Sequence, residues 1–309
     1  MPLTYVSHQV PALAAKLARP AWFDGTALAL GSMSPDWPFA LAGTRLETNA
    51  HNTRGVLLLC VPASVLGAVV ARRLGPSVAG YLPELPGLPL RRLSLLGSRQ
   101  PSLAVTALSA LAGAWSHVAW DSFTHDGRWG ARRVPWLAAR HHVGGRPVTG
   151  AFLAQHTSTV VGGVVALVLL SRVLRELPEW VDAKPPGWAR QRPAVGGPEV
   201  AGADVAGAGA SRPGAERAAV AAERAAVAAD EGAGPGEDVS PEGRAEFWAA
   251  VAAGTAAGAG WGCRGGWDGR FNIAVLVIRT SFGTAVGAVV GALRARRKLR
   301  SASQRVIVG

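Results

Sequence analysis

Several stretches of this chain run for close to twenty residues with little or no charge and stop at arginine, and no other feature constrains its fold as strongly. About twenty apolar residues are what a helix needs to cross the hydrocarbon core of a bilayer. Five runs qualify: 55–70 before Arg72-Arg73, 102–120, 151–170 before Arg172, the Ala/Gly-rich 246–262, and 272–293. The last is interrupted by Arg279 and followed by Arg294, Arg296, Arg297, Lys298 and Arg300. Unpaired backbone groups are too costly in hydrocarbon, so each span must be helical. The expected fold is all-α, a polytopic transmembrane helical bundle of about five spans.

Composition agrees. Charged residues make up 17% of the chain, against roughly a quarter in soluble proteins. The 39 glycines suit helices whose backbones approach closely. A net charge of +12 would suggest nucleic acid in a soluble protein. Here the basic residues flank apolar runs, where they meet lipid headgroups, and no nucleic-acid-binding motif accompanies them. The expected partner is the lipid bilayer, with no nucleic acid. Cys60 and Cys263 form no CxxC pair, so cysteine offers no metal or redox site.

Residues 1–54 hold short apolar helices broken at Ser34-Pro35-Asp36-Trp37-Pro38 and read as an interfacial cap. Residues 55–175 form the membrane core. The Pro-rich stretch 73–101 reads as a surface loop. Residues 176–244 are rich in Ala, Gly, Pro and Glu, and the heptad that starts at Glu216 repeats at Glu223. Such composition predicts a disordered linker. Residues 245–300 read as a C-terminal transmembrane hairpin and 301–309 as a tail. The N-terminus lacks the pattern of a signal peptide. With the C-terminus in the cytoplasm of a cell-membrane protein, the cytoplasmic segments carry 20 of the 32 Lys and Arg residues and the outer ones 11, the sense required by the positive-inside rule.

All seven histidines then fall on the outer side. His117, Asp121 and His125 are spaced i, i+4, i+8, along one helical face. Imidazole and carboxylate at i, i+4 reach one divalent cation, and the donor types suit zinc, manganese or iron(II). His8, Asp36 and His51 sit in the N-terminal segment at the same expected depth. Together these six are the candidate ligands of one or two ions. Arg54, Gln155 and His156 are candidates to line the site or contact substrate, Asp126 is a candidate general base, and His141-His142 reads as loop. Taken one at a time, each of these residues has a structural reading as well, as a helix–helix hydrogen bond or a headgroup anchor. The case for a site rests on the group, because buried ionisable residues in a bundle are costly.

The order of motifs resembles a bacterial membrane family described as domain of unknown function 4184. The residues carrying the likeness are Thr4-Tyr5-Val6-Ser7-His8, Gly31-Ser32-Met33-Ser34-Pro35-Asp36, His51, Trp115-Ser116-His117 with Asp121, Thr124, His125 and Gly127, and Gln155-His156. A more distant resemblance is to predicted membrane-bound metal-dependent hydrolases. It rests on the early His8, the Pro-Asp turn at Asp36, His51 before a span, and His117-x-x-x-Asp121. Around His51 the sequence Asn49-Ala50-His51-Asn52 replaces that group's Arg-x-x-x-His form.

The expected function is therefore metal-dependent hydrolysis of a lipid or other amphiphile at the membrane surface. The alternative is a non-catalytic membrane protein whose polar cluster is structural or binds a partner. A transporter would need a polar path through the bundle, and the polar residues gather on one side.

Overall fold

The structure is a computed structural model and describes residues 5–98, 100–182, 240–263 and 273–308. Its main helices are α1 (Gln9–Ala18), α2 (Gly25–Met33), α3 (Thr53–Ala79), α4 (Leu103–Thr124), α5 (Gly150–Asp182), α6 (Pro241–Cys263) and α7 (Ile273–Val308). A 3-10 helix, Ser34–Leu41, follows α2. Among the described residues the strands form a single antiparallel hairpin, Arg140–Val143 with Arg146–Thr149. The fold is all-α, and α3, α4, α5 and α7 are each long and apolar enough to cross a membrane. The expected linker lies mostly outside the described residues, although α5 carries its first part to Asp182 as helix.

The fifth expected span, at 246–262, is the core of α6, which is not among those four. Its Ala and Gly side chains are small, yet its 23 residues reach roughly 34 Å as a helix. It lies antiparallel along α7 with the backbones nearly touching. A Cβ on Gly254 would meet the Gly283 carbonyl oxygen at 2.2 Å, and one on Gly258 would meet that of Arg279 at 2.3 Å. Small residues at four-residue spacing on both helices permit this approach.

The N-terminal segment differs from a cap lying over the bundle. α2 runs parallel to α4, with Asp24 beside Thr106 and Ser109 and Ser32 beside His117, a stretch of ~16 Å of helix. Backbone contact explains why α2 enters the bundle. Gly31 packs on the Ala110 carbonyl, and a Cβ on Gly113 would lie 2.2 Å from the Leu28 carbonyl oxygen.

Helix α3 also continues past Arg72-Arg73, which the sequence reading placed at a membrane boundary. Arg72 is buried and donates to Asp24 Oδ2 at 2.5 Å. Thr106 donates to the same oxygen, while Asp24 Oδ1 accepts from the backbone N–H groups of Thr26 and Ala27 and caps α2. A paired and hydrogen-bonded charge is tolerable where a lone one is not. The expected surface loop contains a second 3-10 helix, Leu90–Gly97, packed on α3. From it Arg92 donates to the Leu174 carbonyl, which Pro178 leaves without its helical N–H partner.

Close approach at Gly113 predicts a local penalty. Gly113→Ala should lower the melting temperature in detergent, corresponding to ~1–3 kcal/mol of overpacking. Gly163→Ala, whose Cβ meets nothing within 4 Å, should leave it unchanged or slightly raised. Equal melting of the two variants would contradict the α2–α4 contact.

Candidate metal centre

Three local devices bring the six polar side chains together. Near the end of α4, His117 and Asp121 are one turn apart and His125 is the C-cap residue. At the end of α2, the Ser34 hydroxyl donates to the Gly31 carbonyl, and Pro35 turns the chain into the 3-10 helix that carries Asp36 inward. His8 is the N-cap residue of α1, and its ring stacks on that of His117 with centroids 3.8 Å apart. His51 comes from the loop before α3, whose first turn is capped by Asn52.

Asp121 stands at the centre. Its Oδ1 lies 3.3 Å from His8 Nε2 and 3.4 Å from His125 Nδ1. Its Oδ2 lies 3.2 Å from His51 Nε2 and 3.5 Å from His117 Nε2. Asp36 Oδ1 faces His51 and His117 at 3.4 and 3.5 Å. His8, Asp36, His117 and Asp121 are buried.

The directions of these contacts say more than their lengths. His117 Nδ1 lies 2.8 Å from the Ser32 carbonyl oxygen. A carbonyl only accepts, so Nδ1 carries a proton and Nε2 is the nitrogen turned toward the carboxylates. In that position a divalent cation can take the place of a second ring proton between nitrogen and carboxylate. His117 Nε2, His8 Nε2 and Asp121 Oδ1 are fully buried and make no hydrogen bond of acceptable geometry. Buried polar atoms without partners are rare. In two overlapping groups, His8–Asp36–His117 and His51–His117–Asp121, one donor atom per residue lies within 4.8 Å of the others. Buried, unpaired N and O donors converging from several elements fit a divalent cation, and the His117 contact to Ser32 orients the ring as metal-binding histidines are oriented.

Charge is balanced locally. Burial acts against ionisation of Asp36, but His117 and His51 outweigh it and hold the carboxyl well below the usual carboxylate range. Burial also pulls His51 down, and its contacts to Asp121 and Asp36 reverse that and raise it. For His8 and His125, burial prevails and keeps the rings neutral to lower pH.

The cluster opens on one side into a cleft of about 470 Å³. Asp36, His51, Asp121 and His125 face it. Pro35, Pro38, Phe39 and Ala42 form its apolar side, with Glu47, Asn49 and Arg128 among its polar residues. The sequence reading did not single out these three polar residues. For Arg128 the available signal was Gly127, which takes a positive φ two residues past the C-cap of α4; nothing comparable marked Glu47 or Asn49.

Other candidates fall elsewhere. Gln155 is buried, with its amide 3.1 Å from His125 Nε2. His156, one residue on, is exposed and packs on Phe152. Arg54 is exposed and does not line the cleft. Asp126, the candidate base, lies past the end of α4, is exposed, accepts a hydrogen bond from Thr149 on the hairpin and does not line the cleft. His141-His142 lies on a strand rather than in a loop, since Gly144-Gly145 supplies the two positive φ angles of a tight hairpin turn.

Arg279, which interrupts the last apolar run, is buried inside α7. Its guanidinium donates to the carbonyls of Ala40, Ala42 and Trp261. It thereby clamps the C-terminal end of the 3-10 helix that holds Asp36.

Two outcomes follow. Arg279→Met should weaken zinc binding by ~10–100-fold, the usual cost of losing a group that orients a ligand, as read by competition titration on folded protein. Unchanged affinity would show that the clamp does not position Asp36. In metal-free protein, a raised His51 pKa means that its contacts stabilise fully below the ordinary value of 6.5 and are lost as pH rises through the raised one. The melting-temperature difference between wild type and His51→Gln should therefore shrink with rising pH. A difference that grows would contradict the pairing.

A family model described as domain of unknown function (DUF4184) matches residues 1–201, a stretch that contains all six cluster residues. No curated protein and no solved structure matches the chain.

Proposed function

For this chain, which belongs to the DUF4184 family, we propose the function of a membrane-embedded, metal-dependent hydrolase acting on a lipid or another amphiphilic ester at the bilayer surface. The observation that carries the reading is the buried convergence of His117 Nε2, His8 Nε2 and Asp121 Oδ1, none of them hydrogen-bonded. Groups held this way without a cation would each cost on the order of 1–3 kcal/mol.

Asp36, His51, His117 and Asp121 would hold the ion. A bound divalent cation supplies Lewis acidity and lowers the pKa of a coordinated water. The protein supplies the rest. His117 is locked in one tautomer by Ser32. His51 and His125 sit at the cleft wall. Arg128 stands where an anionic headgroup would enter, and Phe39 with the two prolines offers an apolar wall to the adjoining chain.

The location favours an amphiphile. Trp120, Phe123, Trp129 and Trp136 are exposed around this end of α4, as aromatic side chains are at a membrane–water interface. The cluster and the end of α7 lie at opposite ends of the bundle, so a cytoplasmic C-terminus puts the cleft on the outer face of the cell membrane.

Elemental analysis of the purified protein beside Asp36→Ala and His117→Ala tests the reading. Stoichiometric zinc, manganese or iron in the wild type, lost in folded variants, is expected, together with metal-dependent release from phosphoester or carboxylester amphiphiles. Absence of bound metal after reconstitution would refute it. Bound metal without turnover would leave the cluster a structural site.

A further inference from the structure

The two oxygens of Asp121 face different pairs of histidines, and that division bears on how many ions the cluster holds. Oδ2 lies between His51 and His117, with Asp36 Oδ1 on the same two rings. Of these, His51, His117 and Asp121 bring one donor atom each within 4.8 Å of the others, enough for one ion, with Asp36 beside them. Oδ1 points to His8 Nε2 and His125 Nδ1. An ion bound at Oδ2 does not satisfy these groups. His8 Nε2 and Asp121 Oδ1 are both fully buried, lie 3.3 Å apart and form no hydrogen bond. His117 cannot serve both sides, because its Nδ1 is committed to Ser32.

We propose that the cluster is dinuclear, with Asp121 bridging two divalent cations and His8 and His125 holding the second. This rests on the metal-binding reading above and adds a site to it. His125 contributes through Nδ1, which requires its proton on Nε2. Gln155 accepts that proton when its amide presents oxygen to the ring, an orientation related to the drawn one by a simple flip. Gln155 is thus a positioning residue for the second ion.

A bridged pair of cations also narrows the substrate. Two ions held by one carboxylate are suited to clamp both the attacking and the leaving oxygen of a displacement at phosphorus. Arg128 beside them adds a donor for phosphate oxygens. The substrate class is therefore a phosphoester whose apolar part lies against Phe39 and Pro38: water adds to phosphorus, the P–O bond to the alcohol breaks, and the departing alkoxide takes the proton that water gives up.

The test is metal content and electron paramagnetic resonance of the full chain reconstituted with manganese(II), beside His8→Gln and Gln155→Leu, with thermal melting as the check on folding. The expected results are two ions and a spin-coupled spectrum in the wild type, and one ion with an uncoupled spectrum in His8→Gln. Gln155→Leu should weaken the second ion by ~10-fold or more and leave the first unchanged. One ion in the wild type would overturn the second site while leaving the metal-binding reading intact. Two ions retained in folded His8→Gln would overturn the assignment of ligands. No ion at all would overturn both.

Discussion

The hydrogen bond from His117 to the Ser32 carbonyl joins the packing of this bundle to its chemistry. It exists because α2 lies against α4 at backbone distance, which glycine at positions 31 and 113 permits. It fixes the tautomer of a fully buried ring and turns the other nitrogen toward two carboxylates. Without it, the neutral ring could carry its proton on Nε2 and donate to Asp36 or Asp121. With it, the neutral ring presents an acceptor toward Asp36 and Asp121, and a cation fits the space between them.

Polar groups elsewhere in the bundle support this arrangement from two directions. At the opposite end of α2, the Asp24–Arg72 pair with Thr106 and Ser109 secures the turn between α1 and α2. At the near end, Arg279 reaches from α7 to the carbonyls that close the Asp36 helix. That contact comes from outside the stretch matched by the family model, so the C-terminal pair of helices completes the surroundings of the cluster. Both arginines resolve the problem of charge in an apolar environment by hydrogen bonding within the protein.

Much of this was legible from the residues. The apolar runs marked the spanning helices. The i, i+4, i+8 spacing of His117, Asp121 and His125 placed them on one face, and the order of His8, Asp36 and His51 marked the remaining members. The parts that were not legible depend on which helices meet. Arg72 read as a headgroup anchor because sequence shows an arginine after an apolar run but not the aspartate packed beside it. Arg279 interrupts an apolar run, and sequence does not show the carbonyls at the end of the 3-10 helix to which it donates. Asp126 follows His125 directly in sequence, but α4 stops at Thr124 and the Asp126 carboxylate meets Thr149 on the hairpin instead. Gln155 and His156 differ by one residue, about 100° around the helix, and only the first faces His125. The Ala/Gly-rich run hid its role in a similar way, because its length matters less than the close fit of its glycines to those of α7.

The most direct measurement is X-ray diffraction from crystals of metal-replete protein, with data collected on either side of the absorption edge of the bound metal. The account predicts anomalous density among His51, His117, Asp36 and Asp121, with His117 Nδ1 still on the Ser32 carbonyl. Rings hydrogen-bonded directly to the carboxylates, with no anomalous density between them, would contradict it.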